Sequence, residues 1–270
     1  MNSRSAIAFA GGVGAAALTA IITNVIRTAP SLQRTNHTGE QVSLSEGIGA
    51  ATALIGSAVA RRDFAAATAL ATTANAGLVD DIEDLREEAP KAKGLAGHFQ
   101  ALKRGELTTG AVKVAAIGSS AAGYALVHCE RYDRGFYDWV IDSIIVAGSA
   151  NIANLFDLRP GRALKACVAC SLVASTGRVS PRSFGATLGT IAGSAPTDLA
   201  GKTMLGDVGA NALGLQVGML AIVPSSRTFR TGMAALTLGV IAAGEVLSFS
   251  KFIESSKVLS ALDELGVKTK

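Results

Sequence analysis

Ser5-Ala-Ile-Ala-Phe-Ala-Gly-Gly-Val-Gly-Ala-Ala-Ala-Leu-Thr-Ala-Ile-Ile-Thr-Asn-Val-Ile26 runs for 22 residues without a charged side chain. At about 1.5 Å per residue, a helix of that length crosses the roughly 30 Å hydrocarbon core of a bilayer. Its side chains are mostly small, which lets neighbouring helices approach closely in a membrane. No strand precedes Gly11-Gly-Val-Gly14, so this run reads as a packing surface rather than a nucleotide-binding turn. No small-residue cleavage site leads into a polar domain, so the segment reads as a retained first span.

The remainder of the chain has the same character. Of 270 residues, 49% are hydrophobic and 17% charged, 30 are Gly, and the mean hydropathy is +0.37. A soluble domain carries about a quarter charged residues, so this composition predicts an all-α, polytopic integral membrane bundle in a lipid bilayer. Apolar runs place about nine spans at 5–26, 44–60, 63–79, 110–128, 137–153, 162–177, 183–199, 207–224 and 231–250. No linker or internal repeat divides them, so residues 1–270 read as a single domain. Cys129, Cys167 and Cys170 are three, with one C-x-x-C inside an apolar run, which reads as packing rather than a zinc or redox site. The net charge of +4 comes without a basic run interleaved with aromatics, so nucleic acid is not an expected partner.

Positive charge sets the orientation. With the N-terminus outside, the inner segments and adjoining helix ends hold Arg27, Arg34, Arg86, Lys91, Lys93, Lys103, Arg104, Lys113, Arg159, Arg162, Lys165, Lys202, Lys251, Lys257, Lys268 and Lys270, or 16 of the 25 Lys and Arg residues. Cytoplasmic loops carry such an excess, so the N-terminus is expected outside and the C-terminus inside. Three acidic patches then share the cytoplasmic face of an inner or plasma membrane. They are Gly77-Leu-Val-Asp80-Asp81-Ile-Glu83-Asp84, Asn154-Leu-Phe-Asp157 and Leu205-Gly-Asp207-Val-Gly209.

Carboxylates gathered at one membrane face repel unless a cation joins them. Mg²⁺ held by one or two carboxylates and by substrate phosphates suits that arrangement. Asp80 and Asp84 are four apart and share a helical face, with Asp81 turned about 100° away. Asp207 stands at the entrance of an apolar helix, where a charge is costly unless paired or metal-bound. The plainer alternatives are a solvated helix end for the first patch and an N-cap for Asp207. Asn154 and Asp157 suit hydrogen bonding to a base or ribose, or capping of the next helix. His98 and Glu245 are weaker candidates.

Taken in order, these motifs resemble the polyprenyl-phosphate N-acetylhexosamine-1-phosphate transferase family. Its G-F-x-D-D-x-x-D-L is similar to Gly77–Leu85, and its K-G-L to Lys93-Gly94-Leu95. N-x-x-D-G-x-D-G is half matched by Asn154 to Gly161, and A-K-x-F-M-G-D-x-G-S resembles Gly201 to Ala210. An early R-x-x-G-x-P-x-x-G-G loop has a loose echo between Arg34 and Gly47. The resemblance implies that a polyprenyl phosphate attacks the β-phosphate of a UDP-sugar, releasing UMP, with Mg²⁺ required and Mn²⁺ able to substitute. It implies catalytic and metal-binding roles for Asp80, Asp81 and Asp207, and substrate or nucleotide contacts for Asn154, Asp157, Lys202 and Asp84. A homodimer is compatible with it. Leu158, Pro160 and Met204 depart from the family's glycine, aspartate and frequent aromatic. The three histidines, His37, His98 and His128, do not form the family's His-rich inner loop, so the sugar is left open.

Two other readings stay open. An intramembrane prenyltransferase also uses D-D-x-x-D, but it needs a second Asp-rich motif, whereas Asp157 and Asp207 stand alone. A catalytically degenerate relative would bind lipid phosphate or support an assembly, which Pro160 and Met204 favour.

Overall fold

Each of the nine apolar runs folds into a helix. A computed structural model describes residues 3–36, 39–84, 97, 101, 103–105, 108–175, 179–223 and 226–268. Among these, α1 is Ser3–Ile26, α2 Ser45–Ala60, α3 Phe64–Asp84, α4 Thr109–Arg131, α5 Phe136–Phe156 and α6 Arg162–Ser175. Next come α7 Pro181–Asp198, α8 Gly206–Ile222 and α9 Arg227–Val246, then two short helices, α10 Phe249–Ser255 and α11 Lys257–Glu264. One hairpin interrupts the helices: β1 (Gln33–Thr35) pairs antiparallel with β2 (Gln41–Ser43), in the register Gln33 to Ser43.

Four helices, α1 from Ala8, α4, α5 and α9, are long and apolar enough to cross a membrane. Three of the others are short: α2 has 16 residues, α6 has 14 and α8 has 17. Of these, α2 and α6 each keep an exposed side, with Val59, Leu172 and Val173 about half exposed, whereas α8 is enclosed by its neighbours. Every residue of α8 except Asp207 is buried, and apart from Asp207, Asn211 and Gln216 the helix is made of apolar and small residues, as suits a helix at the centre of a bundle. Around it pack α2, α3, α5 and α6.

Small residues set the spacing. On α7, Gly185, Gly189 and Gly193 recur every four residues and lie on one face, against Ala8, Gly12 and Ala16 of α1. A Cβ on Gly189 would fall 2.0 Å from the Gly12 carbonyl oxygen, and one on Gly185 2.1 Å from that of Ala8. Gly12 of the first span is therefore a packing residue, as the sequence suggested. Gly214 and Gly218 seat α8 against α5 in the same way.

The bundle has two polar ends. At one, Arg230 is 3% exposed and donates to both Asp138 and Asp142 at 2.6 Å. Arg134 joins Asp142 at 2.9 Å, and Arg227 adds a further pair to Asp138. A buried charge needs this pairing and hydrogen bonding to be tolerated. His128 lies near this end, stacked between Tyr124 and Tyr132. The acidic patches all lie at the other end, where α3 finishes, α4 begins, α5 finishes and α8 begins.

Overpacking a close helix contact costs about 1–3 kcal/mol. Gly189→Ala should therefore lower the thermal midpoint of the purified protein in detergent. Gly239→Ala on α9, where an added Cβ meets nothing within 4 Å, should leave it equal or slightly higher. Equal melting of Gly189→Ala and wild type would contradict this account of the α1–α7 contact.

Candidate functional site

A helix begins with backbone N–H groups that its own carbonyls cannot satisfy. In α8 these are the N–H groups of Gly206, Asp207 and Val208, and acidic side chains from other helices accept all three. Gly206 N–H donates to Asp157 Oδ2 at 2.7 Å. Asp207 N–H donates to Asp81 Oδ1 and Val208 N–H to Asp81 Oδ2, each at 3.1 Å. The regular ladder starts at Gly209, which donates to Leu205. Two carboxylates thus sit on the positive end of the α8 dipole, where negative charge is favoured.

Gly206 makes this approach feasible. Its φ is +58°, and a Cβ there would meet Asp81 Oδ2 at 2.9 Å and Leu44 at 2.8 Å. The left-handed backbone and the lack of a side chain let Asp81 reach the helix end. The group this glycine admits is the chain's own Asp81 carboxylate.

Asp207 does not cap its helix. The N-cap residue is Leu205, which makes no side-chain capping bond, and Asp207 lies in the first turn. Its carboxylate meets the Lys113 ammonium at 2.8 Å, and the same ammonium donates to Asp80 Oδ2. One cation therefore joins two carboxylates from α3 and α8. Lys113 comes from the first turns of α4, and all three side chains are about 15% exposed. Arg34 of β1 stands 3.7 Å from Asp81 Oδ1 and adds a second positive group.

The environments of the carboxylates differ. Burial pushes Asp81 up to about 6, even though the N–H groups of Asp207 and Val208 and the charge of Arg34 pull the other way. Burial also holds Asp157 well above the usual carboxylate range, and the nearby Asp198 adds to this. Burial opposes ionisation of Asp80 too, but hydrogen bonding to Asp207 and Lys113 leaves it below its ordinary value.

The remaining expected residues are more peripheral. Lys202 exposes its side chain, and its backbone carbonyl accepts from Ser43, tying β2 to the loop before α8. Asn154 is half-buried, and its carbonyl accepts from Asp157 N–H. Asp84 closes α3, but its carboxylate is not among the described side chains. Lys93-Gly94-Leu95, His37 and His98 lie outside the described residues.

Two features were not anticipated from the sequence. Lys113 had counted only toward charge bias, and a single lysine in the first turn of an apolar helix was its one signal. Beneath the site, Glu46 is fully buried and accepts from Thr203 Oγ1 at 2.6 Å, while Asp198 accepts from Gly161 N–H at 2.9 Å. Glu46 thus holds the loop between α7 and α8, and Asp198 ties the end of α7 to the turn before α6.

Among the described residues, no three His, Cys, Asp or Glu side chains converge to hold a metal ion. The residues nonetheless fit a divalent cation in part. Asp80 and Asp207 already converge on one positive charge, and two carboxylates plus substrate oxygens suffice for Mg²⁺. Asp81 fits less well, because both its oxygens accept backbone N–H groups. No protein-family model matches the chain, and no curated protein matches it.

The two kinds of aspartate should separate by stability. Asp81→Asn turns an NH₂ group toward a buried N–H, and leaving such a donor unmatched costs about 1–3 kcal/mol. Asp207→Asn leaves Lys113 with Asp80 and should change thermal stability little. The pH dependence carries the same signature. Folded Asp81 keeps its proton to about pH 6, against an ordinary value of 3.8. The folded state thus binds more protons across that window, and this group's contribution to stability falls as pH rises through it. Denaturation followed across the window should show that component lost in Asp81→Asn. Identical slopes in wild type and variant would contradict it.

Proposed function

We propose that the protein transfers a sugar 1-phosphate from a nucleotide sugar, with UDP as the first candidate, to a polyprenyl phosphate at the cytoplasmic face of an inner or plasma membrane. In this reading nine helices cross the bilayer, with the N-terminus outside and the C-terminus inside. The observation that carries it is the meeting of Asp80, Lys113 and Asp207, drawn from three helices, at the end of the bundle where every acidic patch of the family-like motifs lies.

A phosphate oxygen of the lipid attacks the β-phosphorus of the donor. The bond from that phosphorus to the bridging oxygen breaks, and nucleoside monophosphate leaves. Asp80 and Asp207 are the residues that would hold Mg²⁺, which would neutralise diphosphate charge and stabilise charge developing in the transfer. Lys113 is placed to exchange a carboxylate for a substrate phosphate, since its ammonium is a point charge on a flexible stem. Arg34 offers a planar fork of donors suited to a phosphate group. Asp81 and Asp157 act as positioning residues: they hold the start of α8, and so Asp207, in place. Lys202, Asn154 and Asp84 remain candidates for donor contacts, with Leu158, Pro160 and Met204 marking where donor recognition diverges from the family.

A second reading has its own support. Lys113 satisfies Asp80 and Asp207 without any metal, and Asp81 and Asp157 are committed to the helix end. That arrangement suits a relative that binds lipid phosphate without turnover.

The test is incubation of purified protein with polyprenyl phosphate, Mg²⁺ and a panel of nucleotide sugars. Release of nucleoside monophosphate is expected, abolished by chelation. Loss of an important electrostatic contact costs on the order of 10²–10³ in rate, so Asp207→Asn and Asp80→Asn should lose that much while staying folded. Tight polyprenyl-phosphate binding with no release from any donor would favour the second reading. Near-normal turnover in Asp207→Asn at saturating Mg²⁺ would remove Asp207 from the metal site.

A further inference from the structure

Beyond α9 the chain forms α10 and α11 against the start of α6, at the end of the bundle where Asp157 lies. One side of this pair is fastened to the protein. Arg162 of α6 grips the Asp263 carboxylate with two donors, at 2.8 and 2.6 Å, and reaches Ser250 at 2.9 Å. Lys165 donates to the Asp263 carbonyl, Arg159 pairs with Glu254, and Lys268 N–H donates to the Leu199 carbonyl at 3.0 Å. Ile253 is buried, and Phe249 stacks on Phe156.

The other side is apolar and uncovered. Val258 and Leu262 of α11 are 70% and 54% exposed, and their spacing of four residues puts them on one helical face; Leu265, just past the helix end, is 66% exposed. Phe252 of α10 is 58% exposed next to the inward Ile253. This surface follows directly on the exposed Val246 and Leu247, where the membrane-length helix α9 ends. Of the charged groups on the pair, Glu254 and Asp263 face arginines, which leaves Lys251 and Lys257, with Lys268 just beyond, exposed against Glu264.

We infer that α10 and α11 lie in the headgroup zone of an anionic bilayer, pinned to α6 on one side and with Phe252, Val258, Leu262 and Leu265 in the acyl boundary. Continuity with the lipid-facing surface of α9 argues for the bilayer as occupant, and the lysine excess argues for anionic headgroups. An amphipathic helix so placed buries its apolar face about 5–10 Å into the boundary and gains from anionic lipid. The pair then sets the depth of the bundle end that holds Asp80 and Asp207. This inference rests on the membrane-length helices and does not depend on the transfer reaction.

The test uses the full chain in nanodiscs of phosphatidylcholine with phosphatidylglycerol. A nitroxide is placed on Leu262→Cys in a Cys170→Ser background, which removes the exposed native thiol. The ratio of oxygen to nickel-chelate accessibility should be several-fold higher there than at Glu264→Cys. Val258→Cys reads the same face and should agree, which also covers a failure of Leu262→Cys to fold. Replacing Lys251, Lys257 and Lys268 by Gln should lower the ratio toward that in phosphatidylcholine alone. Equal ratios at 262 and 264 would overturn the inference. So would spin–spin broadening at 262 that disappears on dilution with unlabelled chain, since a second copy would then cover the face. A ratio indifferent to lipid charge and to the lysines would overturn the anionic assignment.

Discussion

The first turn of α8 is the constraint on which the rest depends. A helix buried on every side cannot leave its leading N–H groups to water, and an unmatched buried donor costs about 1–3 kcal/mol. The chain meets this need with Asp157 from the end of α5 and Asp81 from the end of α3, 49 and 126 residues away in sequence. Those two carboxylates, through three hydrogen bonds, draw the ends of α3, α5 and α8 to one point. They also carry Asp80, next to Asp81, and Asp207, in the capped turn itself, to facing positions.

Facing carboxylates in a poorly hydrated site demand a cation, and Lys113 supplies it. This makes the arrangement ambivalent in a useful way. The ammonium stabilises the site as it stands, while carboxylate oxygens are also the ligand type that a hard divalent cation takes. The same logic divides the aspartates into those that hold the start of α8, Asp81 and Asp157, and those that pair with Lys113, Asp80 and Asp207. The separate charge cluster of Asp138, Asp142, Arg134 and Arg230 closes the opposite end of the bundle, so α5 is fixed by ionic contacts at one end and by Asp157 at the other.

Much of this was legible in the sequence, because it rests on local pattern. The apolar runs mark most helix ends to within a few residues; α3 continues five residues past 79, to Asp84, and α9 begins four residues before 231 and ends four before 250. The order of the runs put the three acidic patches at one end of the bundle, and Asp81 and Asp157 do meet there at the start of α8. Side-chain partners were not legible. Asp157 looked like a ligand for a base or a cap for the following helix, but it caps a helix distant in sequence, and only tertiary packing decides that. Lys113 lies 33 residues from Asp80 and 94 from Asp207, with nothing local to link them. Glu46, inside an otherwise apolar stretch, could have been noticed as a buried charge in need of a partner.

The central claim is that Asp80 and Asp207 form one cation-binding position oriented by the capped end of α8. Mn²⁺ binding followed by paramagnetic resonance, with the purified chain, polyprenyl phosphate and a UDP-sugar present, tests it directly. The account predicts bound Mn²⁺ in the wild type, lost in both Asp80→Asn and Asp207→Asn at unchanged fold. Bound Mn²⁺ that survives both substitutions, or none bound in the wild type, would contradict it.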